Sequence, residues 1–276
     1  MAVASSGTNR VMTSVDGRTW TGRRSSNDNN VWRAVTYGNG LWVAVASSGT
    51  GCVMTSADGV TWTGRTAPND GLNQWYSIAY GNGVFVAVAN AGINSTMTSV
   101  DGKTWIGRPS SNDGNQWHSV AFGNGTFVAI ALSGINTVMT SVDGQSWVGR
   151  PSPNDLSQWR SVAYGGGVFC AIATSGSNGV MTSLDGVLWT LRPPLTSTIV
   201  SASVQWHQIA FGNGLFVAVG FPGSGRVKTS MDGGTTWTTG LSSNESNQWE
   251  AAAYGDGQWV AVAQSGVKNV MTLRMP

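Results

Sequence analysis

Charged residues are scarce in this chain of 276 residues. Asp, Glu, Lys and Arg together make up 10% of the sequence, and the formal net charge is only +2. A protein that neutralises nucleic-acid phosphates needs a clustered basic face, and the sequence has no such cluster. We therefore expect no nucleic-acid partner.

Cysteine and long apolar segments are also rare or missing. The two cysteines, Cys52 and Cys170, lie far apart and give no support for a disulfide framework. No apolar run approaches the roughly 18 residues that a membrane helix needs. The amino-terminal residues show no apolar segment after a basic start, so we expect neither a signal peptide nor membrane insertion. The compartment stays open, and a virion surface or secretion by another route would both fit.

What the sequence has in abundance is repetition. A phrase close to W-x-S-V-A-Y-G-N-G-x-F-V-A-V-A occurs six times, and successive copies begin 43, 42, 42, 47 and 43 residues apart. The copies begin at Trp32, Trp75, Trp117, Trp159, Trp206 and Trp249. A second phrase, V-M-T-S-x-D-G-x-T-W, ends at Trp20, Trp62, Trp105, Trp147, Trp189 and Trp237. A fixed period in this range with strand-like content is typical of propellers, arrays and solenoids.

One repeat contains four short strands, which we name A to D in chain order. In the third unit, alternating apolar residues predict strand A at 117–122, strand B at 126–131, strand C at 138–141 and the start of strand D at 146–148. Gly-Asn-Gly and Asp-Gly turns join A to B and C to D. Four antiparallel strands per repeat predict an all-β fold, a β-propeller of four-stranded antiparallel blades, with residues 1–276 as a single domain.

The number of blades depends on how the ends of the chain are used. Segments of type A and D occur six times, whereas segments of type B and C occur seven times. We favour six blades, in a ring closed by pairing of the N- and C-terminal strands, with one B–C segment left over. The alternative is seven blades, of which two are incomplete, one lacking strand A and the other lacking strand D.

The second phrase resembles the Asp-box (BNR-like) repeat of sialidases, sortilin-type receptors and photosystem-assembly propellers. Residues 230–237 match the full S-x-D-x-G-x-T-W pattern, and the other five copies are one residue shorter. The resemblance implies that each aspartate caps a C–D turn and that the tryptophan packs between strands, as in the non-catalytic blades of those proteins. The structural aspartates are Asp16, Asp58, Asp101, Asp143, Asp185 and Asp232.

Catalysis is not expected, although the resemblance leaves a sialidase-like glycosidase as a remote alternative. Such chemistry, as the resemblance implies, needs an arginine cluster, a Tyr–Glu pair and an acid that are unique to one blade. The chain has only two glutamates, and four of its five tyrosines occupy repeated positions. His118 and His207 both follow the strand-A tryptophan, at a variable position that we expect to face solvent. We predict no enzyme, no metal and no cofactor.

The D–A loops carry the best candidate for a binding site. Arginine follows the second phrase in five loops, and an Asn-acid pair follows in five. The set comprises Arg23, Asn27, Asp28, Arg65, Asn69, Asp70, Arg108, Asn112, Asp113, Arg150, Asn154, Asp155, Asn244 and Glu245, with Arg192 in the loop that has lost the pair. Arginine, amide and acid groups beside a tryptophan can hydrogen-bond sugar hydroxyls and stack on a pyranose. The arginine could instead pair with the aspartate of its own loop, and Asn-Asp could simply hold a turn.

These residues predict a non-enzymatic, multivalent and lectin-like binding module. The alternative is a structural, assembly or virion-surface propeller that binds a protein. The fifth D–A loop favours that alternative, because it departs from the repeat and carries Leu195, Ile199 and Val200, which we expect to be exposed. The partner is therefore predicted to be a glycan or a protein surface, and the oligomeric state stays open.

Overall fold

The protein is described by a computed structural model that covers residues 1–175, 179–193, 195, 205–221, 225–240, 246–266 and 269–273. In these residues the regular structure consists of 26 β-strands in seven antiparallel sheets. The sheets are the blades of a seven-bladed β-propeller, which confirms the all-β fold class. No helix in the described ranges is long and apolar enough to cross a membrane.

The chain divides into two compact units, and the first, Met1–Pro151, contains four blades. The first blade has β1 (Ala2–Val3), β2 (Val11–Thr13) and β3 (Thr21–Arg23). The second has β4 (Trp32–Gly38), β5 (Leu41–Ala46), β6 (Val53–Ser56) and β7 (Thr63–Arg65). The third has β8 (Trp75–Gly81), β9 (Val84–Ala89), β10 (Thr96–Ser99) and β11 (Ile106–Arg108). The fourth has β12 (Trp117–Gly123), β13 (Thr126–Ala131), β14 (Val138–Ser141) and β15 (Val148–Arg150).

The second unit, Ser152–Pro276, contains three blades. The fifth blade has β16 (Trp159–Gly165), β17 (Val168–Ala173), β18 (Val180–Ser183) and β19 (Thr190–Arg192). The sixth has β20 (Gln205–Gly212), β21 (Leu215–Phe221), β22 (Val227–Ser230) and β23 (Thr238–Thr239). The seventh has β24 (Gln248–Gly255), β25 (Gln258–Ser265) and β26 (Val270–Leu273).

The favoured count of six blades is wrong, and the seven-bladed alternative is confirmed. The first sheet holds only strands of type B, C and D, and the seventh holds only types A, B and C in the described part of the chain. The count differs because each terminal B–C hairpin belongs to a sheet of its own, so neither is left over. Closure of the ring by pairing of the terminal strands stays a prediction.

Within each unit, the A strands of successive blades lie side by side. The glycine that ends one A strand packs against the aromatic ring that ends the next. A Cβ built at Gly81 would lie 2.1 Å from Cγ of Phe122. A Cβ built at Gly38 would lie 2.2 Å from Cγ of Tyr80, and one built at Gly212 would lie 2.2 Å from Cβ of Tyr254. Glycine is therefore required here because the neighbouring ring occupies the space of a side chain.

A β-bulge follows the tryptophan of strand A. In β12, for example, the register shifts between Trp117 and Ser119, so that His118 is the extra residue. The same shift recurs in the five other A strands. The variable position noted in the sequence is therefore the bulged residue of each blade.

Candidate functional site

The turn between strands C and D is built around one aspartate, and we call it the Asp-centred turn (residues 56–62 in the second blade). Asp58 Oδ1 accepts hydrogen bonds from Ser56 Oγ at 2.9 Å and from the amides of Val60 and Thr61 at 2.8 Å each. Trp62 Nε1 donates to the Gly59 carbonyl at 3.2 Å. The Thr61 amide, followed by Val60 and Ser56, lowers the pKa of Asp58 to about 2.

All six Asp-centred turns share these contacts. In each, the serine hydroxyl donates to the aspartate and the indole donates to the glycine carbonyl three residues earlier. The carboxylates lie at Asp16, Asp58, Asp101, Asp143, Asp185 and Asp232. Because their lone pairs accept amides of their own turns, these groups hold the turn shape.

The four arginines of the predicted binding set and Arg192 have the same environment as one another. Each ends a D strand and donates from Nε to a threonine hydroxyl of the adjacent C strand, at distances of 2.8 to 3.5 Å. The pairs are Arg23–Thr13, Arg65–Thr55, Arg108–Thr98, Arg150–Thr140 and Arg192–Thr182. None of these arginines forms an ion pair with a described carboxylate. The structure therefore does not show the arginine–aspartate pairing that the sequence left open.

The loop aspartates connect each D–A loop to the B–C loop of the preceding blade. Asp113 accepts the amides of Asn94 and Ser95 at 3.0 and 2.9 Å, and it also accepts the amide and hydroxyl of Ser110. Asp70 accepts two amides of the second blade, Gly51 and Cys52. Partial burial opposes ionisation of Asp113, but the hydrogen bonds from Ser110 and Ser95 outweigh it, so that its pKa is lowered. These carboxylates brace two loops.

The remaining acids and asparagines of the set also make local contacts. Asp28 and Asp155 accept the hydroxyls of Ser25 and Ser152, each at 2.6 Å. The Asn112 side chain accepts the amide of Gly114, and the carbonyls of Asn27, Asn112 and Asn154 accept the indole N–H of the next strand-A tryptophan at 3.0 to 3.1 Å. Asn69 lies one residue further from its tryptophan than the other three asparagines do. Its side-chain Nδ2 donates to the Ile93 carbonyl at 3.2 Å.

A second asparagine, two residues before the strand-A tryptophan in four of the six D–A loops, is not part of the predicted set. Asn73 is 2% exposed and donates to the carbonyls of Ile93 and Asn94 at 2.8 and 3.2 Å. Its Oδ1 accepts the Ile93 amide at 3.1 Å. Asn30 and Asn115 make the same contacts in the second and fourth blades. Each of these three asparagines connects its own D–A loop to the B–C loop of the following blade.

The position that packs against each of these asparagines must be a glycine, because the asparagine side chain occupies the space of a Cβ. A Cβ at Gly92 would lie 2.0 Å from Oδ1 of Asn73, and the φ of Gly92 is 119°. The sequence signal was an asparagine two residues before the strand-A tryptophan, paired with a glycine in the following B–C loop. Asparagine and glycine are common both in loop-to-loop contacts and in ligand sites. The contact between this asparagine and the B–C loop is therefore evident only from the folded structure.

Some predicted residues lie elsewhere or outside the described chain. Asn244 and Glu245 fall outside the described residues, as do Ile199 and Val200. The expectation that Leu195 is exposed is wrong, because it is 5% exposed and packs in the core with Trp206 and Cys170. Burial in this core removes the apolar side chain of Leu195 from water.

The bulged residues of neighbouring A strands contact one another. In the first unit, the Arg33 guanidinium lies 4.7 Å from the ring centre of Tyr76, and that ring lies 4.8 Å from His118. In the second unit, His207 Nδ1 lies 2.9 Å from Glu250 Oε2, and Arg160 Nη2 lies 3.6 Å from the same oxygen. His207 is buried, contrary to the solvent-facing position expected for it, because Glu250 supplies a partner and Phe221 packs against its ring. The described residues include no group of three or more His, Cys, Asp or Glu suited to a metal ion.

No family model and no curated protein matches the sequence. Among solved structures, virginiamycin B lyase from Staphylococcus aureus with quinupristin has a TM-score of 0.77 and 11% identity, over 92% of this chain and 83% of the lyase. YCF48 bound to D1 peptide has a TM-score of 0.60 and 18% identity, over 88% and 81%. The GH74 xyloglucanase from Xanthomonas campestris has a TM-score of 0.66 and 14% identity, over 95% of this chain and 48% of the enzyme. At these identities the likeness shows a shared β-propeller fold alone and does not bear on catalysis.

Proposed function

We propose that the chain is a non-enzymatic binding module that holds a protein partner on the loop side of its blades, where the B–C and D–A loops lie. The observation that carries the proposal is in the third blade. Leu72 and Ile93 are 67% and 60% exposed, on two loops that Asn73 and Asn69 hold together. Exposed apolar side chains on a rigid support are typical of protein-binding surfaces, since little entropy is lost on docking.

The same arrangement recurs in other blades. In the fourth blade Ile135 is 72% exposed, on a B–C loop held by Asn115. In the second unit Leu156 is 92% exposed on its D–A loop. Several weak contacts on one chain increase the overall affinity for a repetitive or extended partner. The peptide bound to YCF48 supports a protein partner for a propeller of this kind.

Lectin-like glycan binding is the second candidate, and one observation favours it. The threonine contacts hold the five arginine side chains in place, while no described carboxylate neutralises them. Arg108 together with the exposed Asn112 and Gln116 would offer donors and acceptors to sugar hydroxyls. The loop aspartates support this candidate less well than the arginines do, because amides and hydroxyls already occupy them.

The two candidates are tested by probing the purified protein against a random peptide display library and a glycan array in parallel. The double variant Leu72→Ser, Ile93→Ser should weaken binding of selected peptides more than tenfold, because burial of each side chain is worth about 1.5 to 3 kcal/mol. The matched control Val100→Ser, Val142→Ser removes two side chains that are each 69% exposed on Asp-centred turns, and it should bind within about twofold of the wild type.

Each array has an outcome that contradicts its candidate. If no peptide is enriched, or if the control loses binding as strongly as the loop variant, the loop side is not a protein-docking surface. A glycan signal that Arg108→Gln abolishes would favour the second candidate. The lack of any glycan signal at high protein concentration would remove it.

A further inference from the structure

A surface cavity of about 310 Å³, widely open to solvent, lies between the second and third blades, in the first unit. The second blade contributes Thr55, Asp58, Thr61, Thr63 and Arg65 to its lining, and the third blade contributes Lys103 from its Asp-centred turn. The volume is near the lower end of the range of about 300 to 1,000 Å³ that is usual for small-molecule sites. It suits a ligand the size of one sugar ring.

The cavity carries an excess of positive charge. Arg65 and Lys103 contribute two cations and Asp58 contributes one anion, which leaves a formal charge of +1. Neither cation forms an ion pair with a carboxylate in the described residues. The Asp58 carboxylate is occupied by Ser56, Val60 and Thr61, so it does not neutralise a cation directly.

The polar groups of the cavity are of the types that bind an ester anion. Thr55 accepts from Nε of Arg65 at 3.1 Å and thereby fixes the direction of the guanidinium. A fixed guanidinium fork together with an ammonium is a combination that binds sulfate or phosphate oxygens. The hydroxyls of Thr61 and Thr63 are exposed and make no hydrogen bond within the described chain. They are therefore available to the hydroxyls of a ligand.

The neighbouring blade provides a natural comparison. Gly144 of the fourth blade lies against Val86 and Thr98 of the third, as Gly102 of the third blade lies against Leu41 and Val43 of the second. In the repeat, Gln145 corresponds to Lys103 and Arg108 corresponds to Arg65. The third blade keeps the arginine–threonine pair but has no second cation. The second cation thus distinguishes the Arg65 cavity from the equivalent position one blade further on.

We propose that this cavity binds a sugar-sized ligand that carries a sulfate or phosphate ester. The ester group lies between Arg65 and Lys103, and the hydroxyls of the ligand contact Thr61 and Thr63. The lining comes from β5, β6, β7 and two Asp-centred turns, and not from the B–C or D–A loops. The proposal therefore does not depend on protein docking at the loop side.

The test is titration calorimetry of the whole chain at low salt with glucose 6-sulfate, glucose 6-phosphate and glucose. We expect saturable binding of one equivalent of at least one ester, weaker at high salt because the contact is ionic, and no binding of glucose. Whichever ester binds more tightly identifies the anion. Lys103→Gln should weaken binding at least tenfold, and Gln145→Lys should add a second equivalent.

Both substitutions are at exposed positions, so the thermal midpoint should stay at its wild-type value in each variant. The proposal is overturned if neither ester binds the wild type saturably, or if glucose binds as tightly as the esters. It is also overturned if Lys103→Gln binds as tightly as the wild type. Loss of peptide docking in the Leu72 and Ile93 variant, with ester binding intact, would separate the two sites.

Discussion

Gly81→Ala should lower the free energy of unfolding by about 3 kcal/mol or more, since a new methyl group has no room at this position. The added Cβ would lie 2.1 Å from Cγ of Phe122, the ring that ends the A strand of the next blade. Phe122 has little freedom to move, because its ring packs against Phe127 with centres 4.7 Å apart. Denaturant unfolding of the variant measures the loss.

The seventh blade offers a matched control for this substitution. Gly255 ends its A strand in the same way, but a Cβ there meets no atom within 4 Å. Gly255→Ala should therefore change the free energy of unfolding by less than about 0.5 kcal/mol. In addition, Phe122→Ala should offset part of the cost of Gly81→Ala in the double variant. Equal stability of the Gly81 and Gly255 variants would show that the glycine–aromatic contact does not hold the A strands together.

Asn73→Ala should cost about 2 to 4 kcal/mol, because it removes three hydrogen bonds and leaves the Asn94 carbonyl and the Ile93 amide without their side-chain partner. The side chain joins the third D–A loop to the carbonyls of Ile93 and Asn94 and to the amide of Ile93. It is 2% exposed, so water does not replace these bonds readily. The midpoint of thermal unfolding, compared with that of the wild type, reports the effect.

Two further variants show whether the buried amide is the cause. Gln74→Ala changes the exposed neighbour of Asn73 and should leave the midpoint unchanged. Asn73→Asp keeps the shape but sets a carboxylate against two carbonyl oxygens, so it should destabilise at least as much as alanine. If Asn73→Ala has the same midpoint of thermal unfolding as the wild type, the contacts of the Asn73 side chain contribute nothing to stability.

The sequence was sufficient for the blade but not for the number of blades. The period and the alternating apolar residues predicted strands close to those observed, with β13 and β14 at their expected bounds. Strand D of the same blade begins two residues later, at Val148, because residues 143–147 complete the Asp-centred turn. The number of blades could not be predicted, because counting strand segments in the sequence does not show which segments share a sheet.

The candidate site shows a different limit. Arginine, asparagine and aspartate in a repeated loop are the residue types expected both for a sugar site and for a brace. The contact that distinguishes them, such as Asp113 with the amides of Asn94 and Ser95, joins residues 18 and 19 positions apart. That proximity depends on the packing of one blade against the next. The partnership of His207 with Glu250 was hidden for the same reason, since it joins bulged residues 43 positions apart.

The loop carboxylates hold the D–A loops to the B–C loops of neighbouring blades, and thermal unfolding of Asp113→Asn beside Arg108→Gln tests this role most directly. Asp113→Asn removes a charge that accepts four hydrogen bonds, so it should cost about 2 kcal/mol and lower the midpoint. Arg108→Gln loses one long hydrogen bond of 3.5 Å and should leave the midpoint nearly unchanged. An unchanged midpoint for Asp113→Asn would contradict this structural role and would make the aspartate a candidate ligand-binding residue again.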